Sequence, residues 1–234
     1  MSVRPTRLGR KTKLSALAAA AVVALSGCGA LHPGAAAVVG STTISHDAVD
    51  GLAAALCTAN VKGAEAGGQA TQFSTRSNRE GALQVLLESR LSHLFGEKRD
   101  VEANRQTVSQ ALAQNETVIQ ALPEDESADY RQALKDYAEG QLMLVEIGRK
   151  SLQDQGKTGV TEDQALAEGH KLRNKFAKSL DVEIDPRYGN FSDGTLKSGG
   201  TSLSVAESDD ARAGEKAEPA ADFVSGLPAS QRCS

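Results

Sequence analysis

The chain has 234 residues, 26 of them basic and 30 acidic; 40% are apolar, 3% are aromatic and none is tryptophan. That length suits one domain with tails, and the scarcity of aromatics argues against a small-molecule pocket or an aromatic hot spot. A net charge of −4 argues against a nucleic-acid partner.

Residues 1–13 carry Arg4, Arg7, Arg10, Lys11 and Lys13 with no acid, and Leu14 to Ser26 is almost wholly apolar. A basic stretch followed by a short apolar run is the pattern of a secretory signal, and the run falls short of the ~20 residues a membrane span needs. It ends in Leu25-Ser26-Gly27-Cys28, which resembles the bacterial lipobox. In that motif the cysteine thiol takes a diacylglyceryl group and becomes the first mature residue. Residues 1–27 therefore read as a lipoprotein signal peptide, Cys28 as the lipidation site and residues 28–36 as a lipidated tether. The expected location is the cell membrane, lipid-anchored on the extracytoplasmic face. Loss of the signal leaves 21 basic against 30 acidic residues, a net charge of −9, so anionic lipid is no partner beyond the anchor itself. Cys57 and Cys233 then remain in an oxidising compartment, where two thiols most simply pair. A Cys57–Cys233 disulfide is expected, the alternative being two free thiols.

Along the mature chain, "AAVVGSTTIS" reads as a short strand or hairpin. Ser45 is a plausible N-cap for a helix through Val49, Leu52, Ala53 and Leu56, which "NVKGAEAGGQA" should break near Asn60. Leu83, Leu86, Leu87, Leu91 and Leu94 recur at helical spacing, an amphipathic stripe. A weaker stripe, Val101, Val108, Leu112, Ile119 and Leu122, is interrupted by Asn104 and Asn115 and stopped by Pro123. Tyr130 to Leu152 predicts a third helix, and Thr161 starts a fourth carrying Leu166, Leu172, Phe176 and Leu180. "DVEIDP" alternates like a strand cut off by Pro186. From Gly189 the composition turns to small and polar residues, which predicts irregular chain. Phe223, Val224 and Leu227 then suggest a tail that returns to the domain, pinned by the disulfide.

"AAVVGSTTISHDAVDGL" resembles the start of the SurA/PrsA-type N-terminal chaperone domain, with Gly40, Ile44, Ser45, Val49 and Asp50 in the corresponding places and Val39 where the family has Asn. "DVEIDPRYGNFS" is similar to the strand and "P-R-Y/F-G" turn that follows the family's helices. The resemblance implies a mainly α fold. It is a multi-helix domain over residues 37–192 with a two- or three-stranded sheet joining the N-terminal strand to the strand near 181–186. Residues 193–234 form a low-complexity C-terminal tail. It also implies an apolar cleft for unfolded or nascent exported proteins. The parvulin isomerase domain of catalytic members has no counterpart between Leu83 and Leu180.

The four histidines, His32, His46, His93 and His170, have no second histidine three or four residues away, so no histidine pair is read as metal ligands at helical spacing. H-E-x-x-H, C-x-x-C and G-x-S-x-G are absent. Gly156-Lys157-Thr158 lacks the first glycine of a phosphate loop, Ser151 standing in its place, and Lys157-Thr158-Gly159 has no S-x-x-K companion. No catalytic residue, metal or cofactor is assigned. Glu124, Asp125 and Glu126 read as a helix start. The candidate client contacts are Leu83, Leu86, Leu87, Leu91 and Leu94, although such stripes usually form core. The function expected is a membrane-anchored, non-catalytic, chaperone-like lipoprotein; the alternative is a helical adaptor lipoprotein for one cell-envelope partner.

Overall fold

The computed structural model describes residues 33–68, 72–197, 207–214, 216 and 219–233. The expected signal, Cys28 and His32 lie outside the described residues. The described residues belong to one contact unit.

β1 (Ala35–Val39) is buried along its whole length and pairs antiparallel with β2 (Thr42–Ser45). Ala35 and Ala36, expected in the tether, are 2% and 0% exposed, so the folded domain starts before residue 37. Small residues at these positions let helices lie close on the central strand. Ser45 then caps α1 (His46–Ala66), its Oγ accepting from Ala48 N at 3.1 Å. The helix runs through Asn60 and Gly63, where a break was expected. Alanine, lysine and glutamate around that glycine sustain it until Gly67 and Gly68.

β3 (Phe73–Ser74) leads into α2 (Thr75–Arg99), which carries the leucine stripe. The weak stripe after it becomes two helices, α3 (Arg105–Gln114) and α4 (Glu116–Ala121), divided at Asn115. Pro123, read as a stop, also stands at the head of α5 (Glu124–Asp154). Glu124, Asp125 and Glu126 occupy the first turn of α5, where their charge favours the positive helix end. α6 (Glu162–Ala177) opens with a capping box in which Thr161 and Gln164 satisfy each other's backbone N–H groups.

β4 (Val182–Ile184) returns to pair with β1, with Ala37 opposite Ile184 and Val39 opposite Val182. The result is a mainly α fold with a three-stranded antiparallel sheet in the order β2-β1-β4. The region after Gly189 carries more regular structure than its composition predicts. β5 (Asn190–Ser192) and β6 (Thr195–Lys197) form a hairpin. Two short helices follow, α7 (Asp209–Gly214) and α8 (Ala221–Gly226), and β7 (Arg232–Cys233) pairs antiparallel with β3.

The main core gathers Val49 and Leu52 of α1 with Leu83, Leu87 and Leu91 of α2 beneath the sheet. A smaller cluster joins Phe95, Leu144 and Ile147, where the Phe95 and Phe176 rings stack at 5.4 Å. α5 and α6 touch backbone to backbone: a Cβ on Gly148 would stand 1.9 Å from Ala165 O, and one on Gly169 would stand 2.2 Å from Leu144 O. Only glycine permits that approach. No helix among the described residues is long and apolar enough to cross a membrane.

Candidate functional site

The leucine stripe faces inward. Leu83, Leu87 and Leu91 are 0%, 2% and 1% exposed, and Leu86 and Leu94 are half-buried against the same core. A client chain cannot reach them without unfolding the helix from the sheet. The expected client contacts are therefore corrected to core residues, because α1 and the sheet cover the stripe that periodicity alone leaves unassigned.

The expected disulfide is also absent: Cys57 and Cys233 are free thiols, Cys233 buried and Cys57 half-buried. The tail is held instead by the β3–β7 ladder, with Arg232 bonding Gln72 at 3.1 Å and the Ser225 carbonyl at 2.7 Å. Cys233 Sγ is taken up as an acceptor for Asn78 Nδ2 at 2.9 Å, and Asn60 donates to Asn78 Oδ1 at 3.3 Å. Burial, with the nearby Glu126 charge, pushes the Cys57 thiol pKa up, so it is a poor nucleophile at neutral pH.

The tail and the start of α2 enclose a cleft of about 540 Å³. One wall is apolar, from Phe223, Leu227 and the Tyr188 ring; the other carries the Arg76, Arg79 and Arg187 guanidinium groups. Arg76 is braced by Glu80 at 2.7 Å and by the Gly214 carbonyl at 2.9 Å. Arg79 pairs with Asp50 of α1 at 2.8 Å. A guanidinium has five N–H donors, so each of these pairs leaves donors over for a ligand.

Behind the cleft, the turn Asp185–Gly189 is locked to the start of α1. Asp185 N donates to Ala36 O at 2.9 Å, and the Asp185 carboxylate accepts from Arg187 N and from its side chain, at 2.6 Å from Nη2. These bonds to Arg187 hold the Asp185 carboxyl below the usual carboxylate range. Gly189 closes the turn at φ 121°, a conformation side chains avoid. His46 sits between the two segments. Its Nδ1 lies 3.1 Å from Tyr188 Oη; its Nε2 lies 2.7 Å from Arg187 Nη2 and 3.2 Å from Asp185 Oδ2. Guanidinium can only donate, so the short Arg187 contact fits the tautomer with a bare Nε2 and an Nδ1–H donating to Tyr188. Burial, with the Asp50 charge, raises the Tyr188 pKa and keeps the phenol neutral. Both imidazole nitrogens are used by the fold, so the cluster orients Arg187 and Tyr188 on the cleft wall.

His170 lies half-buried on α6, its pKa lowered by burial and then by Arg173. Arg173 itself is 2% exposed, with Nη2 bonded to Asn174 Oδ1 at 2.8 Å and Glu88 3.9 Å away. This group ties α6 to α2.

The cleft is not legible in the sequence because its walls come from residues 74–80, 187–188, 210–214 and 219–231, joined only by tertiary folding. The one available signal was the "D-P-R-Y-G" turn, read there as a family likeness rather than as a wall. No protein-family model, curated protein or solved structure matches the chain.

Proposed function

We propose that the protein is a membrane-anchored extracytoplasmic, chaperone-like lipoprotein that binds unfolded exported polypeptides without catalysis, and that the Arg76–Tyr188–Phe223 cleft is its binding surface. The observation that carries this reading is the pairing, within about 540 Å³, of an aromatic and aliphatic wall with a guanidinium wall. Extended polypeptide offers a complement to both. Its apolar side chains pack on Phe223 and Leu227, and its carbonyl or carboxylate oxygens accept from Arg76, Arg79 and Arg187. Binding short segments with affinity on the order of micromolar allows exchange without an energy source. The lipobox at Cys28 and the SurA/PrsA-like layout support the same reading.

One observation favours the adaptor alternative. Among the described residues Val118, at 38%, is the large apolar side chain that stands exposed, so a broad apolar field of the kind a general holdase uses is lacking. A helical adaptor would hold one cell-envelope partner in the same cleft.

The two readings separate in one experiment. The full-length protein in detergent is mixed with several unrelated unfolded proteins, and aggregation is followed by light scattering. The chaperone reading expects suppression near stoichiometric ratio, weakened by Phe223→Ser. Suppression of none, with one stoichiometric partner recovered by crosslinking in membranes, supports the adaptor. Unchanged behaviour of Phe223→Ser and Arg79→Gln in both assays rules out the cleft. Anchoring is tested by metabolic labelling with a fatty-acid analogue, which should mark the wild type and not Cys28→Ala.

A further inference from the structure

We propose that His93, Asp136 and Glu139 form a binding site for a divalent first-row transition metal ion of the zinc class. The three come from facing helices, His93 from α2 and the Asp136/Glu139 pair, one turn apart, from α5. One ligand atom from each lies within 4.8 Å of the other two, and all three residues are half-buried. His93 Nε2 stands 3.8 Å from Glu139 Oε2. Two ligands on a tetrahedral zinc, with bonds of 2.0–2.2 Å, stand about 3.4 Å apart. The His93–Glu139 pair is already near that separation, and the group as a whole closes from separations of up to 4.8 Å by side-chain rotation.

The surroundings fit a cation. A recess of about 480 Å³ opens on His93 and Glu139 and is lined further by Glu97, Asp100 and Glu102 against one guanidinium, that of Arg105. Glu97, Asp100 and Glu102 have no ion-pair partner among the described residues, so the recess holds uncompensated negative charge. Glu97 lies one turn from His93 on α2 and lines the same recess, which leaves room for water as a further ligand and a path from solvent. Gln132 Nε2 donates to Asp136 Oδ1 at 2.7 Å, the outer contact that orients a ligating carboxylate. Imidazole with carboxylates selects zinc-like ions over calcium or magnesium, which take oxygen alone.

Two contacts must yield. His93 Nε2 lies 3.1 Å from the Asp136 carbonyl, and that bond is exchanged for the metal bond as the ring takes its other tautomer. Lys135 Nζ lies 3.8 Å from Glu139 Oε1, a loose and exposed pair that competes with the ion.

The test titrates chelator-stripped full-length protein in detergent with Zn²⁺ by calorimetry, and with Co²⁺ by visible ligand-field absorption. One equivalent should bind, and both His93→Gln and Glu139→Gln should abolish it while helix content by circular dichroism stays unchanged. Gln132→Ala should weaken binding about tenfold, and Lys135→Gln should tighten it. No Zn²⁺ uptake overturns the proposal, as does uptake that survives either His93→Gln or Glu139→Gln. Calcium binding as tight as that of zinc also overturns it, because the imidazole would then select nothing.

Discussion

The contact between α5 and α6 sets two effects of known size against each other at Gly148. Alanine is a better helix former than glycine by about 1 kcal/mol, so Gly148→Ala should stabilise if only propensity mattered. The added methyl would stand 1.9 Å from Ala165 O and 2.6 Å from Gly169 N, both backbone atoms. Neither can turn aside as a flexible side chain does, so the helices must separate by more than an ångström. That opens the packing of Leu144 and Ile147, which are 0% and 6% exposed. Overpacking costs about 1–3 kcal/mol even where side chains can adjust, and backbone contact puts this site at or above the upper end. The net expectation is a loss of about 2 kcal/mol, or roughly 4–8 °C in melting temperature for a chain of this size. Gly63→Ala and Gly81→Ala are the controls. Both lie inside helices with nothing within 4 Å of the added methyl, and each should stabilise by about 0.5–1 kcal/mol. Thermal and urea unfolding followed by circular dichroism reads all three variants. A Gly148→Ala protein that melts at or above the wild type would refute the close helix crossing.

Leu87→Ala should cost about 2–5 kcal/mol of unfolding free energy, since the side chain is 2% exposed in the main core. A loss below about 1 kcal/mol in urea unfolding would return that leucine to the surface. Asp185 has its folded pKa depressed by Arg187, so it adds stability above the ordinary carboxylate pKa of about 3.9 and loses it as pH falls through the lower folded value. Asp185→Asn should therefore be less stable than the wild type at pH 7 and approach it near pH 3; a gap that is constant or widens on acidification contradicts the pairing. Thiol alkylation of the native protein should reach half-buried Cys57 before buried Cys233, and its rate should go on rising past the ordinary thiol pKa of about 8.5 because the Cys57 pKa is raised. Peptide mapping that recovers the two cysteines joined would refute the free-thiol state.

Local signals carried the fold a long way. Ser45 capping α1, Thr161 opening α6 and the alternation in "DVEIDP" each act over a few residues, and each stands where the pattern places it. The leucine spacing in α2 was equally legible as a helix. What covers such a stripe is a tertiary fact, and here α1 and the sheet cover it. The end of α1 lies beyond the break expected near Asn60 because "NVKGAEAGGQA" holds one glycine, Gly63, before the Gly67-Gly68 pair. One glycine among good helix formers costs only about 1 kcal/mol. Composition misled after Gly189 for a related reason. The tail has few large apolar residues, but Val224 and Cys233 are enough to seat it at 3% and 7% exposure once β3 offers an edge.

The same limit decides how legible the sites were. His46 and Tyr188 lie 142 positions apart, and His93 and Asp136 lie 43 apart, yet each pair is hydrogen-bonded. No spacing rule reaches across such gaps, so a search for histidine pairs at helical spacing says nothing of carboxylates on α5. The "D-P-R-Y-G" turn shows the converse. Its residues serve one another first: Asp185 holds Arg187, and Gly189 allows the reversal. Only the groups left over, the remaining Arg187 donors and the outer face of Tyr188, are presented to the cleft. A motif can thus be legible for a structural reason and still build the wall of a site. The variants that separate those roles are the ones that spare Asp185 and change Phe223 or Arg79 across the cleft.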